Sequence, residues 1–143
     1  MIRAVLDTNV VVSSFLQPGG IPGQLRRAWQ KSSFELALSE PLLREIAEVL
    51  ARPVIRRVLK VEPEEIERFL LLIAETSVWP QGELNVVPVV AADPDDDIVL
   101  ATALGTGADV LVSGDGHLLR MGFYRDIPIL TPRQFLDELA ETE

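Results

Sequence analysis

Two short apolar runs, each ending against an aspartate, constrain this chain more than any other feature. Residues 2–6 (Ile-Arg-Ala-Val-Leu) run into Asp7-Thr8-Asn9, and residues 109–112 run into Ser113-Gly114-Asp115. Short apolar runs flanked by helical patterns read as buried strands of a parallel sheet. In open parallel sheets, sites form just beyond the carboxyl ends of the strands. Between the two runs lies Asp93-Pro94-Asp95-Asp96-Asp97, which opens an apolar helix. The sequence therefore places Asp7, Asp96 and Asp115 where a site is expected. Carboxylates gathered in one place stay ionised near neutral pH only if a cation offsets them. That points to a hard-metal site and to metal-assisted phosphoryl transfer.

The rest of the chain supplies helices between strands. The periodicity predicts strands at 2–6, 34–38, 86–90, 109–113 and 127–130, the third of them an edge strand because Pro88 cannot donate to a ladder. Helices are expected over 9–16, 22–31, from Ser39 through Leu50, 63–77, 96–106 and from Thr131 onward. Ser39 with Pro41 is a start signal, Pro53 an interruption, and Thr131-Pro132-Arg133-Gln134 has the spacing of a capping box. Strands alternating with helices imply an α/β fold with a mostly parallel sheet. At 143 residues the expectation is a single domain, 1–143.

Composition narrows the chemistry. The chain has no Cys and one His, so a zinc site of the usual nitrogen and sulfur type is hard to build, and hard oxygen ligands suit Mg²⁺ or Mn²⁺. No Walker A loop, dinucleotide-binding loop or nucleophile elbow is present. No apolar run approaches the ~20 residues of a membrane span, and the start lacks a signal-peptide pattern; both fit a cytoplasmic protein. The net charge of −9 taken alone argues against nucleic-acid binding. The bases are nonetheless grouped, as Arg52, Arg56, Arg57 and Lys60, and as Arg26, Arg27 and Lys31. These are solvated helix faces by default, and phosphate contacts if the acidic site is real.

Helical geometry sorts the remaining acids. At ~100° per residue, Asp96 shares the face of Val99, Leu100 and Ala103, whereas Asp97 points about a quarter turn away, toward Leu104. Glu45 lies at the border of the buried face of its helix, and Glu48 faces solvent. Asp7 suits an N-cap position. Gly114 and Gly116 suggest a sharp turn that brings Asp115 over the sheet edge. His117, the lone His, reads as a surface residue or a polar neighbour of Asp115.

The ordered set of motifs resembles the PIN-domain nucleases, and most closely the VapC-like toxin components of toxin–antitoxin pairs. The residues that carry the resemblance are Val5-Leu6-Asp7-Thr8-Asn9, then Ser39 through Glu45 on to Val49-Leu50 and Arg52-Pro53. Asp93-Pro94-Asp95-Asp96 with Leu100-Ala101-Thr102-Ala103 follows, and Ala108 through Asp115 completes it. The resemblance implies a three-layer α/β/α fold and a metal-dependent endoribonuclease acting on single-stranded RNA. It implies Asp7, Glu45, Asp96 and Asp115 as the four acidic site residues. Asp7, Asp96 and Asp115 would hold Mg²⁺ or Mn²⁺, and Glu45 would ligate it or orient water. Thr8, Asn9 and Ser113 would support them. If the chain is a nuclease, the grouped bases Arg52, Arg56 and Arg57 would be its contacts with RNA. The resemblance further implies a homodimer and a small antitoxin partner. Two other readings stay open: a PIN-like module that binds RNA or protein without cutting, and a metal-dependent phosphatase of another α/β fold. A haloacid-dehalogenase-like enzyme would need a second Asp where Asn9 stands.

Overall fold

The computed structural model describes residues 1–89 and 93–142. In chain order the elements are β1 (Arg3–Leu6), α1 (Thr8–Leu16), α2 (Gly20–Gln30), β2 (Glu35–Ala37), α3 (Glu40–Leu50), α4 (Pro53–Val58) and α5 (Pro63–Thr76). Then follow α6 (Pro94–Thr106), β3 (Val110–Val112), α7 (Gly116–Met121), β4 (Phe123–Tyr124), β5 (Ile127–Leu130) and α8 (Pro132–Thr142). The sheet order is β2-β1-β3-β5-β4, with β4 alone antiparallel to its neighbour. The fold is the expected α/β/α arrangement around a mostly parallel sheet.

The strands are short because each needs only to cross the core. Ala4, Val5, Leu111 and Val112 are fully buried. Helix α6 packs across β1, β2 and β3, and α8 packs on β5 and α2. Leu100 of α6 and Leu42 and Ile46 of α3 are buried in the same core. Each such large aliphatic side chain contributes about 1.5–3 kcal/mol by leaving water.

The connections decide where a site can form. From β1 the chain crosses to β2 on one side, and from β2 it returns to β3 on the other side of β1. The carboxyl ends of β1 and β3 are thus neighbours at the point where strand order reverses. Leu6 pairs in register with Val112, and Asp7 N–H donates to the Val112 carbonyl at 2.9 Å.

Several expectations are corrected. Pro53 does not simply interrupt a helix; it stands in the first turn of α4, where its missing N–H costs nothing. Residues 86–89 form no strand, while Val90 lies outside the described residues. Val86, Val87 and Val89 are exposed, and the Val89 N–H donates to Asp97 Oδ1 at 2.9 Å instead of to a ladder. The free edge of β2 is met by Val78, whose N–H donates to Leu36 O and whose carbonyl accepts from Leu38 N–H. Helix α6 starts two residues before its expected position, with Asp93 as its N-cap accepting from Asp95 N–H at 3.0 Å. The capping box at Thr131 and Gln134 forms as expected, with reciprocal bonds of 2.9 and 3.1 Å.

Candidate functional site

Beyond the ends of β1 and β3, one hydroxyl ties two acids together. Ser113 Oγ donates to Asp7 Oδ2 at 2.7 Å and accepts from Asp115 N–H at 2.9 Å. Ser113 is fully buried, so this link is set by the strand register rather than by solvent. Asp7 occupies the N-cap position of α1, yet its side chain makes no capping bond; it is turned toward Ser113 instead. Asp115 does cap α7, accepting from His117 N–H. Gly114 and Gly116 have ordinary φ, so the expected glycine turn is not what places Asp115; the start of α7 is. A Cβ at Gly116 would meet the end of the flexible Arg120 side chain at 3.0 Å, which that side chain can relieve by moving.

Two helices bring further acids to the same place. Asp96 lies in the first turn of α6 and is only 3% exposed. Glu45 is on α3. The two helices are cross-linked by a buried hydroxyl pair, Ser39 Oγ and Thr102 Oγ1, 2.7 Å apart. Thr102 gives its own hydrogen to Ile98 O, so Ser39 is the donor in that pair. Asp97, expected a quarter turn from Asp96 toward Leu104, is buried as well and anchors the backbone of Val89.

The electrostatics record the crowding. Burial raises the Asp96 carboxyl to about 7, and Asp115, Asp93 and Asp7 add to the rise. Burial likewise raises Glu45 to about 7, with Asp95, Asp7 and Asp93 contributing. The Thr8 hydroxyl beside Glu45 offsets part of this, short of hydrogen-bond geometry. Burial raises Asp7 as well, opposed by the Ser113 hydrogen bond. Asp93 and Asp95, which by sequence suit only a turn and a cap, thus belong to the field of the site.

These residues fit a cation. Asp96 Oδ2, Glu45 Oε2 and Thr8 Oγ1 are buried without a hydrogen-bond partner among the described residues. Such orphaned oxygens are costly unless something positive meets them. Ligand atoms of Asp96, Asp115 and His117 all lie within 4.8 Å of one another. Sequence reasoning misses His117 as a site residue because a lone imidazole gives no pattern. The signal that could find it is the start of α7: an N-cap Asp followed two residues later by His.

Beside the acids opens a cleft of about 420 Å³. Its lining includes the polar Asp7, Asn9 and Asp115 and the apolar Val10, Ile21, Leu25 and Pro132. Asp115 is common to the cleft and to the cluster with Asp96 and His117. Of the grouped bases, Arg26 is committed elsewhere: it donates to Phe15 O at 3.1 Å and lies over the Phe15 ring. Arg27 donates to Pro18 O at 3.2 Å. Arg52, Arg56 and Arg57 are exposed and form no ion pair among the described residues.

Comparison with known proteins bears on the fold and the family. The chain is 27% identical to the uncharacterized protein MJ1680 of Methanocaldococcus jannaschii, over 98% of this chain and 93% of that protein. Its structure resembles a chain in the crystal structure of VapBC2 from Rickettsia felis bound to a DNA fragment from their promoter, with a TM-score of 0.55. That likeness covers 91% of this chain and 98% of the other, at 14% identity, and is one of fold. The family model for the PIN domain matches residues 3–117, a span that holds β1 through the start of α7 and every acid named above; the chain belongs to the PIN domain family.

Proposed function

We propose that this chain is a divalent-metal-dependent ribonuclease that hydrolyses phosphodiester bonds in single-stranded RNA. PIN domains are generally nucleases. The observation that carries the reading is the group of buried, partnerless carboxylate oxygens at the β1/β3 switch point, beside a cleft open to a ligand. Residues 1–143 would act as one PIN-like unit, working as a homodimer in the cytoplasm. The fold neighbour is a VapBC pair, which supports a toxin role held in check by a small antitoxin.

The roles follow from position. Asp96 and Asp115, with Asp7 behind Ser113, would hold Mg²⁺ or Mn²⁺. A bound divalent cation supplies charge neutralisation at the phosphate and acidifies the attacking water. Glu45, buried beside the other acids with one oxygen unpartnered, would ligate the cation or orient the attacking water. Ser113 holds Asp7 and the Asp115 backbone, the unpartnered Thr8 hydroxyl would turn to Glu45 or to a bound water, and Asn9, exposed on the cleft, can donate its amide to an RNA oxygen. The apolar part of the cleft offers a surface for a base or ribose.

The test is an assay with metal-stripped protein and a fluorescent single-stranded RNA. Cleavage is expected only on addition of Mg²⁺ or Mn²⁺. A protein that binds the RNA and never cuts it under any divalent metal would be a non-cutting module instead.

A chain of net charge −9 must draw RNA through a local patch. Helix α4 follows α3, the helix of Glu45, and carries Arg56 and Arg57. Replacing both with Ala should weaken RNA binding and flatten its salt dependence by about 1.4 log–log units, at ~0.7 per phosphate contact for single strands. Metal binding should stay as it was. An unchanged salt slope would return α4 to a solvated face.

A further inference from the structure

The acidic cluster contains a nitrogen donor, and we propose that His117 is a ligand of the metal site and tilts its preference from Mg²⁺ toward Mn²⁺ and Co²⁺. The inference rests on the reading of that cluster as a metal site. Ligand atoms of Asp96, Asp115 and His117 lie within 4.8 Å of one another. Donors sharing one octahedral ion at ~2.1 Å sit roughly 3 to 4.2 Å apart, so small side-chain adjustments bring these three onto one ion. Asp96 supplies a second, independent sign of a missing partner: its Oδ2 is buried and makes no hydrogen bond among the described residues.

The imidazole is available for the task. His117 Nδ1 stands 3.4 Å from Asp115 Oδ1, at ion-pair distance, so it already faces the same carboxylate, and its side chain is half exposed. Its backbone N–H already caps onto Asp115, which fixes the residue at the start of α7 and points the two side chains to one place. The chemistry follows from donor type. Mg²⁺ dehydrates reluctantly and favours oxygen ligands. Imidazole binds transition metals better, and affinity for a mixed nitrogen and oxygen site rises from Mn²⁺ to Co²⁺. A site of carboxylates alone would hold Mg²⁺ comparatively well; one nitrogen in the set shifts the balance.

The test compares wild type, His117→Ala and Asp96→Asn as metal-stripped proteins, by calorimetric titration with Mg²⁺, Mn²⁺ and Co²⁺ and by the visible absorption of bound Co²⁺. His117→Ala should weaken Mn²⁺ and Co²⁺ at least ~10-fold, a scale reached even by loss of groups that only support ligands. It should change Mg²⁺ less than about threefold and move the Co²⁺ band, while Asp96→Asn should weaken all three metals. His117 is exposed, so its loss spares the core. If His117→Ala keeps the Co²⁺ affinity and band while Asp96→Asn loses them, the metal site stands and the inference about His117 is overturned. If wild type binds none of the metals, or Asp96→Asn binds them like wild type, the metal-site reading itself fails and takes the inference with it.

Discussion

Asp96→Asn is expected to reduce RNA cleavage at least ~100-fold and yet to stabilise the metal-free protein at pH 7.5. The first effect follows from its place among the ligand candidates, given that losing a mere supporter of a ligand costs about 10–100-fold. The second follows from burial. Asp96 is 3% exposed, one of its oxygens has no partner, and its carboxyl is raised to about 7. Raising a carboxyl by one pH unit disfavours its ionised form by about 1.4 kcal/mol. Asn still buries polar amide atoms that need partners there, so the net gain should be smaller than the full rise implies, on the order of 1–3 kcal/mol. For a domain of this size that raises Tm by roughly 3–12 °C.

The pH dependence fixes the sign. Well below the ordinary carboxylate pKa, Asp96 is protonated in both folded and unfolded chains and contributes nothing. Between about 4 and 7 the folded chain holds the proton that the unfolded chain has released, so stability falls as pH rises. Above about 7 the full cost is present. Glu45 and Asp7 are raised too and act in the same direction. The gap between Asp96→Asn and wild type should therefore be wide at pH 7.5 and narrow at pH 5, read by thermal or urea unfolding. Saturating Mn²⁺ should reverse the order at pH 7.5, because binding to the folded state stabilises wild type by RT ln(1 + [L]/Kd). Equal stability of the two metal-free proteins at pH 7.5 would mean that no charge is stranded at Asp96.

What can be read in the sequence is what one residue type or one period decides. The apolar runs at β1 and β3 need no partner to announce a buried strand, and they bring Asp7 and Asp115 with them. Ser39 and Thr131 announce their helices because a cap is a local bond. The losses come where tertiary context decides. Helix α6 is buried on nearly every side, from Asp96 and Asp97 to Thr106, so a helical wheel cannot separate a site-facing acid from one holding Val89. The run 86–89 is apolar enough for a strand, but the β2 edge is already met by Val78. Helices α4 and α7 span six residues each, too short for a period to show. The contribution of Asp93 and Asp95 to the field on Glu45 depends on α3 packing against α6, which no local pattern encodes.

Gly23→Ala is expected to destabilise the fold by about 2–4 kcal/mol, although helix propensity alone assigns it the opposite sign. Gly23 lies inside α2, where exchanging Gly for Ala ordinarily stabilises by about 0.5–1 kcal/mol. Here a Cβ would stand 2.1 Å from Pro18 O and 2.6 Å from Pro18 C. Those are backbone atoms of the connection between α1 and α2, so no side-chain rotation relieves the overlap. The connection is further held by Arg27 Nη1, which donates to the same Pro18 carbonyl at 3.2 Å, and by the Gly23 N–H, which donates to Gly19 O at 3.3 Å. Opening it would break both and shift Ile21, Pro22 and Leu25, which line the cleft. Overpacking of this kind usually costs about 1–3 kcal/mol, and the lost bonds add to it. Gly105→Ala is the control, also helical, because its Cβ would meet the movable Leu84 Cδ1 at 3.0 Å and the Pro80 ring at ordinary contact distances of 3.5 and 3.8 Å. Its Tm should stay within a few degrees of wild type, about 3–4 °C corresponding to 1 kcal/mol at this size, while Gly23→Ala falls by roughly 6–16 °C. If both variants melt together at or above wild type, the α1–α2 connection yields freely and Gly23 is an ordinary helical glycine.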